Sequence, residues 1–152
     1  MIEPVYELIP HYPGVFIALI EDKNHNEADS LNEFCKSIDA SLHVKNLSQK
    51  QYDKSLHVDE FKFEQNRYNN HAVVYDFVFV CADEIKDMSQ VANKIYRILK
   101  NAGHVFLLCK NELTANISEV LENSNFVAVN TISLNGEYDI ISAKKMHGWM
   151  KV

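Results

Sequence analysis

Residues 75–110, YDFVFVCADEIKDMSQVANKIYRILKNAGHVFLLCK, decide the fold. The opening YDFVFVCAD is apolar without alternation, which suits a strand buried on both faces. Asp87 followed by Gln90 makes a capping-box pattern. Behind it Met88, Val91, Ala92, Ile95, Ile98 and Leu99 trace one helical face. Gly103 then stands where a helix stop favours a residue tolerant of left-handed backbone. The run HVFLLC is a second buried strand. Strand, capped helix, strand in this order is the unit of a parallel sheet, because parallel neighbours need a long crossover between them.

Working toward the end of the chain, Leu113, Ile117, Val120 and Leu121 mark another helix, closed by Asn123, Ser124 and Asn125. The runs FVAVNTISL and EYDIISAKK follow, joined by Asn135-Gly136, a strong hairpin signal. Working toward the start, GVFIALI from Gly14 reads as a further buried strand, followed by the polar turn Glu21-Asp22-Lys23-Asn24-His25-Asn26. Ala28, Leu31, Phe34, Cys35 and Ile38 form a helical stripe, with Asn24 or Asn26 as its cap. Leu42 and Val44 indicate a short strand over residues 41–47, and Leu56, Val58, Phe61 and Phe63 another. Residues 65–74 read as a short helix or an irregular loop. Pro4, Pro10 and Pro13 make residues 1–13 an extended arm, leaving residues 14–152 as a single α/β domain.

Bulk properties narrow the function. The chain has 152 residues, 47% hydrophobic and 24% charged, the balance of a folded soluble domain. A formal net charge of −6 runs against nucleic acid as a partner, since phosphate binding needs the opposite sign. No apolar run approaches the ~20 residues of a membrane span, and the first residues lack the pattern of a secretory signal. The three cysteines are odd in number, and Cys81 and Cys109 lie inside apolar runs. Reduced thiols in a cytoplasmic protein are the expectation.

The order of elements resembles the class I S-adenosylmethionine-dependent methyltransferase family. The family's fourth strand typically begins with Tyr-Asp or Phe-Asp, here Tyr75-Asp76 before FVFV. Its next helix ends in a pattern R-x-L-K-x-x-G, here Arg97, Leu99, Lys100 and Gly103, and its last strands form a hairpin like the one around Asn135-Gly136. The resemblance covers the second half by motif and the first half by strand-helix order. It implies a three-layer Rossmann-like methyltransferase fold, with a mostly parallel sheet closed by a C-terminal antiparallel hairpin. It also implies S-adenosylmethionine as the cofactor.

The turn after GVFIALI departs from the family, which uses glycines there so that the backbone can approach the cofactor closely. This turn has none. The acidic residue that the family places after the second strand is replaced by Val44-Lys45-Asn46. Ligands of open α/β sheets bind beyond the carboxyl ends of the strands, which makes Glu21, Asp22, Asp83 and Glu84 the candidate cofactor-binding or ligand-binding residues. The competing reading is that they merely end strands and start helices.

The seven histidines show no metal-ligand spacing, so no metal is expected, and a nucleophilic role for Cys81 is opposed by its acidic surroundings. Asn69-Asn70-His71 is a polar cluster ahead of the fourth strand, read as a loop turn that could instead meet a ligand. Trp149, the single tryptophan, is expected to pack on the domain or on a second copy in a homodimer. These residues favour a degenerate methyltransferase-like domain that acts without catalysis, as a binding or assembly module for a small molecule or a protein. Two alternatives stay open. One is an active methyltransferase with a divergent cofactor loop and Asp83 or Glu84 near the methyl group; the other is a small-ligand sensor.

Overall fold

The computed structural model describes residues 1–48, 50–61 and 75–146. Among them, seven strands build one sheet: β1 (Phe16–Glu21), β2 (Ser41–Asn46), β3 (Val58–Glu60), β4 (Tyr75–Cys81), β5 (Leu99–Lys110), β6 (Phe126–Ser133) and β7 (Tyr138–Lys145). Their order is β3-β2-β1-β4-β5-β7-β6. The β1–β2, β1–β4, β2–β3 and β4–β5 pairs are parallel, whereas β7 runs antiparallel to both β5 and β6. This is the mostly parallel sheet with a closing hairpin that the sequence implied.

Among the described residues three α-helices cover it: α1 (Ala28–Ser37), α2 (Met88–Ile98) and α3 (Thr114–Asn123). Alternation along the strands splits the core in two. Ile17, Leu19, Phe77, Phe79, Phe106, Leu108 and Ile140 face α1 and the N-terminal segment. Ala18, Ile20, Val78, Val80, Val105, Leu107 and Ile141 face α2 and α3. The buried stripes agree with the helical periods read from sequence, Ala28, Leu31 and Cys35 on α1 and Val91, Ala92, Ile95 and Ile98 on α2. Asp87 caps α2, its side chain accepting the Gln90 N–H at 3.2 Å.

Several local expectations differ. The N-terminal segment lies on the domain, but Glu3–Leu8 coils into a 3-10 helix instead of extending. Pro4 stands in its first turn, where the missing N–H would have no intrahelical partner anyway. Neither Asn24 nor Asn26 caps α1; Glu27 occupies that position without a side-chain cap bond. The third strand is three residues long, so Leu56 and Phe61 flank it. Phe63, residues 65–74 with Asn69-Asn70-His71, and the tail carrying His147 and Trp149 lie outside the described residues.

Gly103 does not stop a helix. The chain leaves α2 directly into β5 at Leu99, and the register jumps from Tyr75↔Leu99 to Phe77↔His104. Within that irregularity a Cβ on Gly103 would stand 2.9 Å from the Lys100 carbonyl and 3.0 Å from the Asp76 carbonyl. The glycine is needed for close backbone approach, while Ala102 takes the left-handed conformation at φ 68°.

Candidate functional site

The strand order reverses between β1 and β4, and in an open α/β sheet the crevice at such a switch point is where a ligand sits. Here the carboxyl ends of these strands carry Glu21, Asp22 and Asp83, three of the four residues singled out from the sequence. Glu21 and Asp22 are fully buried. Both must therefore find hydrogen bonds inside the protein, since an unpaired buried carboxylate is strongly unfavourable.

Asp22 finds them in the backbone across the crevice. Its Oδ2 accepts the N–H groups of Asp83 at 2.8 Å and Glu84 at 3.0 Å, and its Oδ1 accepts that of Asn24 at 2.9 Å. The backbone N–H of Asp22 is itself given to the Cys81 carbonyl at 3.3 Å. One side chain thus ties the turn after β1 to the turn after β4.

Glu21 is held by a different set. Its Oε2 accepts the Glu27 N–H at 2.6 Å, which explains how α1 begins without an asparagine cap. Its Oε1 accepts from Lys50 Nζ at 3.0 Å and from the Tyr52 hydroxyl at 2.9 Å. The Lys50 ammonium also donates to the His25 carbonyl at 2.6 Å and to Asn26 Oδ1 at 3.1 Å, so each of its three protons has an acceptor. Burial, then the adjacent Glu21 carboxylate, push the Tyr52 phenol far above its ordinary pKa. It stays a proton donor at any physiological pH.

Asn46, at the end of β2, sets Lys50 in place. Its side-chain amide donates to the Lys50 carbonyl at 2.7 Å, and its oxygen accepts the N–H groups of Ser48 and Lys50. Lys45, the cation noted from sequence, turns to β3 instead and pairs with Asp59 at 3.1 Å.

Asp83 continues the network toward the hairpin. His25 Nε2 lies 2.8 Å from Asp83 Oδ1, and the Tyr138 hydroxyl donates to Asp83 Oδ2 at 3.1 Å. Burial first, then the Asp83 carboxylate, raise the Tyr138 phenol to about 12. Glu84, the fourth candidate, has an exposed carboxylate 3.9 Å from Lys23, and it joins the crevice only through its backbone N–H.

Two side-chain groups, Glu21–Lys50–Tyr52 and His25–Asp83–Tyr138, thus flank the switch point, and backbone bonds through Asp22, Asn46 and the His25 carbonyl link them from β2 to β7. Sequence reasoning missed His25, Lys50, Tyr52 and Tyr138. His25 alone carried a signal, standing in the glycine-free turn; the other three lie far from that turn along the chain.

Cys81 ends β4 beside this network. Burial, then the carboxylates of Glu27 and Glu21, hold its thiol well above the usual range, which suits a packed side chain and not a nucleophile. Among the described residues no group of three or more His, Cys, Asp or Glu side chains is placed to hold a metal. Among them, too, no helix is long and apolar enough to cross a membrane.

With this sheet order and closing hairpin the chain has the class I methyltransferase fold. Solved structures of such enzymes superpose on it over most of its length. A putative S-adenosylmethionine-dependent methyltransferase from Listeria monocytogenes matches with a TM-score of 0.69 at 10% identity, covering 96% of this chain and 98% of that one. One from Aquifex aeolicus gives 0.69 at 12% identity, over 93% and 88% of the two chains. Phosphoethanolamine N-methyltransferase 2 of Haemonchus contortus, solved with S-adenosylhomocysteine and phosphomonomethylethanolamine, gives 0.67 at 13% identity. That match covers 94% of this chain, which spans about half (51%) of the Haemonchus enzyme's length. No family profile and no curated protein matches the sequence.

Proposed function

We propose that this chain is a methyltransferase-fold binding module whose cofactor crevice is filled by its own side chains, and that it does not transfer methyl groups. The observation that carries the reading is the double closure at the switch point. Asp22 takes up the backbone N–H groups of Asp83 and Glu84, while Glu21, Lys50 and Tyr52 satisfy one another beside it. S-adenosylmethionine entering there would have to break these bonds, its own ammonium competing with a Lys50 ammonium that already meets Glu21. Differential binding decides catalysis, and a crevice whose donors are already paired has little affinity left for a cofactor.

The test is to record amide spectra of the labelled protein while adding S-adenosylmethionine or S-adenosylhomocysteine. The Asn24, Asp83 and Glu84 amides, all bonded to Asp22, should stay in place. Saturable shifts of these three amides would reject the reading in favour of a cofactor-binding enzyme.

A further inference from the structure

We infer that the cleft between the amino-terminal halves of α2 and α3 binds a small apolar carboxylate, such as a medium-chain fatty acid. The inference rests on the reading as a binding module and deepens it; the cleft lies on the α2–α3 side of the sheet and shares Asp83, but not Glu21 or Asp22, with the switch-point network. The cleft has a volume of about 330 Å³, within the range of small-molecule sites. Leu107 and Cys109 of β5 form its buried floor, and Met88, Ile117 and Val120 line its walls.

The walls are unusual for a helix pair packed on a sheet. Of α3, only Leu121 is fully covered, so Ile117 and Val120 remain partly open although they lie on the same apolar stripe. Leu113, at the mouth, is 40% exposed. An apolar lining left partly open gains free energy when a hydrocarbon covers it, at roughly 25 cal/mol per Å².

The charge at the rim selects the head group. Lys86 and Lys110 line the cleft, and neither forms an ion pair among the described residues. Two carboxylates line the cleft as well, each already accepting a hydrogen bond. Asp83 is bonded to His25 and Tyr138, and Asp87 accepts the Gln90 N–H as the α2 cap. An apolar chain in the cleft can therefore end beside Lys86 and Lys110, which have no ion-pair partner among the described residues, a setting in which a carboxylate head group gains more than an alcohol or an amine.

The experiment titrates the full chain with octanoate, octanol and octylamine, and separately with S-adenosylhomocysteine, following amide shifts of residues 85–89 and 113–120. Octanoate should bind saturably and more tightly than octanol, with octylamine weakest. Lys86→Glu combined with Lys110→Glu, at one exposed and one half-buried position outside the apolar core, should weaken octanoate about tenfold while leaving octanol within about twofold. Val120→Phe, which fills the cleft, should abolish binding of both. Octylamine binding as well as octanoate, or octanoate silent up to about 10 mM, overturns the inference. The S-adenosylhomocysteine arm reads the closed crevice independently. Its binding would contradict the non-catalytic reading and leave the octanoate result standing.

Discussion

Replacing Lys50 by Met removes the one cation that faces Glu21 among the described residues and keeps most of the side-chain volume. The Glu21 carboxylate is fully buried, and it would retain the Glu27 N–H on one oxygen and the Tyr52 hydroxyl on the other. The His25 carbonyl and Asn26 Oδ1 would lose their donor as well. Breaking a buried ion pair from one side costs about 3–5 kcal/mol. Two donors remain to Glu21, and the Lys50 side chain is 18% exposed, so the lower end applies, about 3 kcal/mol. For a chain of this size that is a fall in melting temperature of roughly 6–12 °C. Urea unfolding followed by circular dichroism should show a lower midpoint with an unchanged slope.

The double variant Glu21→Gln with Lys50→Met separates electrostatics from packing. A neutral amide in place of the carboxylate should restore at least about 1 kcal/mol relative to Lys50→Met alone. The reasoning is refuted if Lys50→Met lies within about 0.5 kcal/mol of wild type. It is equally refuted if the two substitutions simply add.

Asp22→Ala should be at least as damaging, because three backbone N–H groups lose their acceptor at about 1–3 kcal/mol each before water reaches them. Hydrogen exchange at Asp83 and Glu84 should accelerate in that variant, and unchanged protection would argue against the tie across the crevice. Gly103→Ala places a Cβ within 3.0 Å of two backbone carbonyls and should destabilise by about 1–3 kcal/mol, whereas Gly136→Ala meets nothing within 4 Å and should change stability by under about 0.5 kcal/mol. Equal effects at the two glycines in urea unfolding would contradict the close approach at Asp76.

The pH dependence follows from His43 and His104. Burial, then His57 and Lys45 beside the first and Lys144 beside the second, lower both imidazole pKa values below the ordinary 6.5. Below pH 6.5 the unfolded chain then binds more protons than the folded one, so stability present above 6.5 is lost as pH falls toward the folded values. His104→Gln should flatten part of that slope in melts between pH 7.5 and 5; an unchanged slope would remove His104 from the account.

The fold was legible because its signals are local. YDFVFVCAD and HVFLLC are apolar without interruption, Asp87 stands ahead of an amphipathic helix, and Asn135-Gly136 sits between two strand runs. Gly103 was visible as special but for the wrong reason, since a close approach to the Asp76 carbonyl depends on which strand lies alongside.

The crevice was legible only in outline. Strand ends pointed to Glu21, Asp22 and Asp83, and the absent glycines pointed to a changed turn. That Lys50 and Tyr52 would cross from the β2–β3 connection to satisfy Glu21 could not be read, because a long-range polar contact leaves no period in the sequence. Tyr138 was hidden for the same reason: it reads as a strand residue until the hairpin brings it to Asp83.

Isothermal titration of the purified wild-type chain with S-adenosylhomocysteine bears most directly on the closed crevice. With Glu21, Asp22, Lys50 and Tyr52 bonded to their own chain, we expect no saturable heat, meaning a Kd weaker than about 1 mM. A one-to-one isotherm with a Kd near 1 μM, about 8 kcal/mol of binding free energy, would show that these bonds yield to the cofactor. That result would contradict the account.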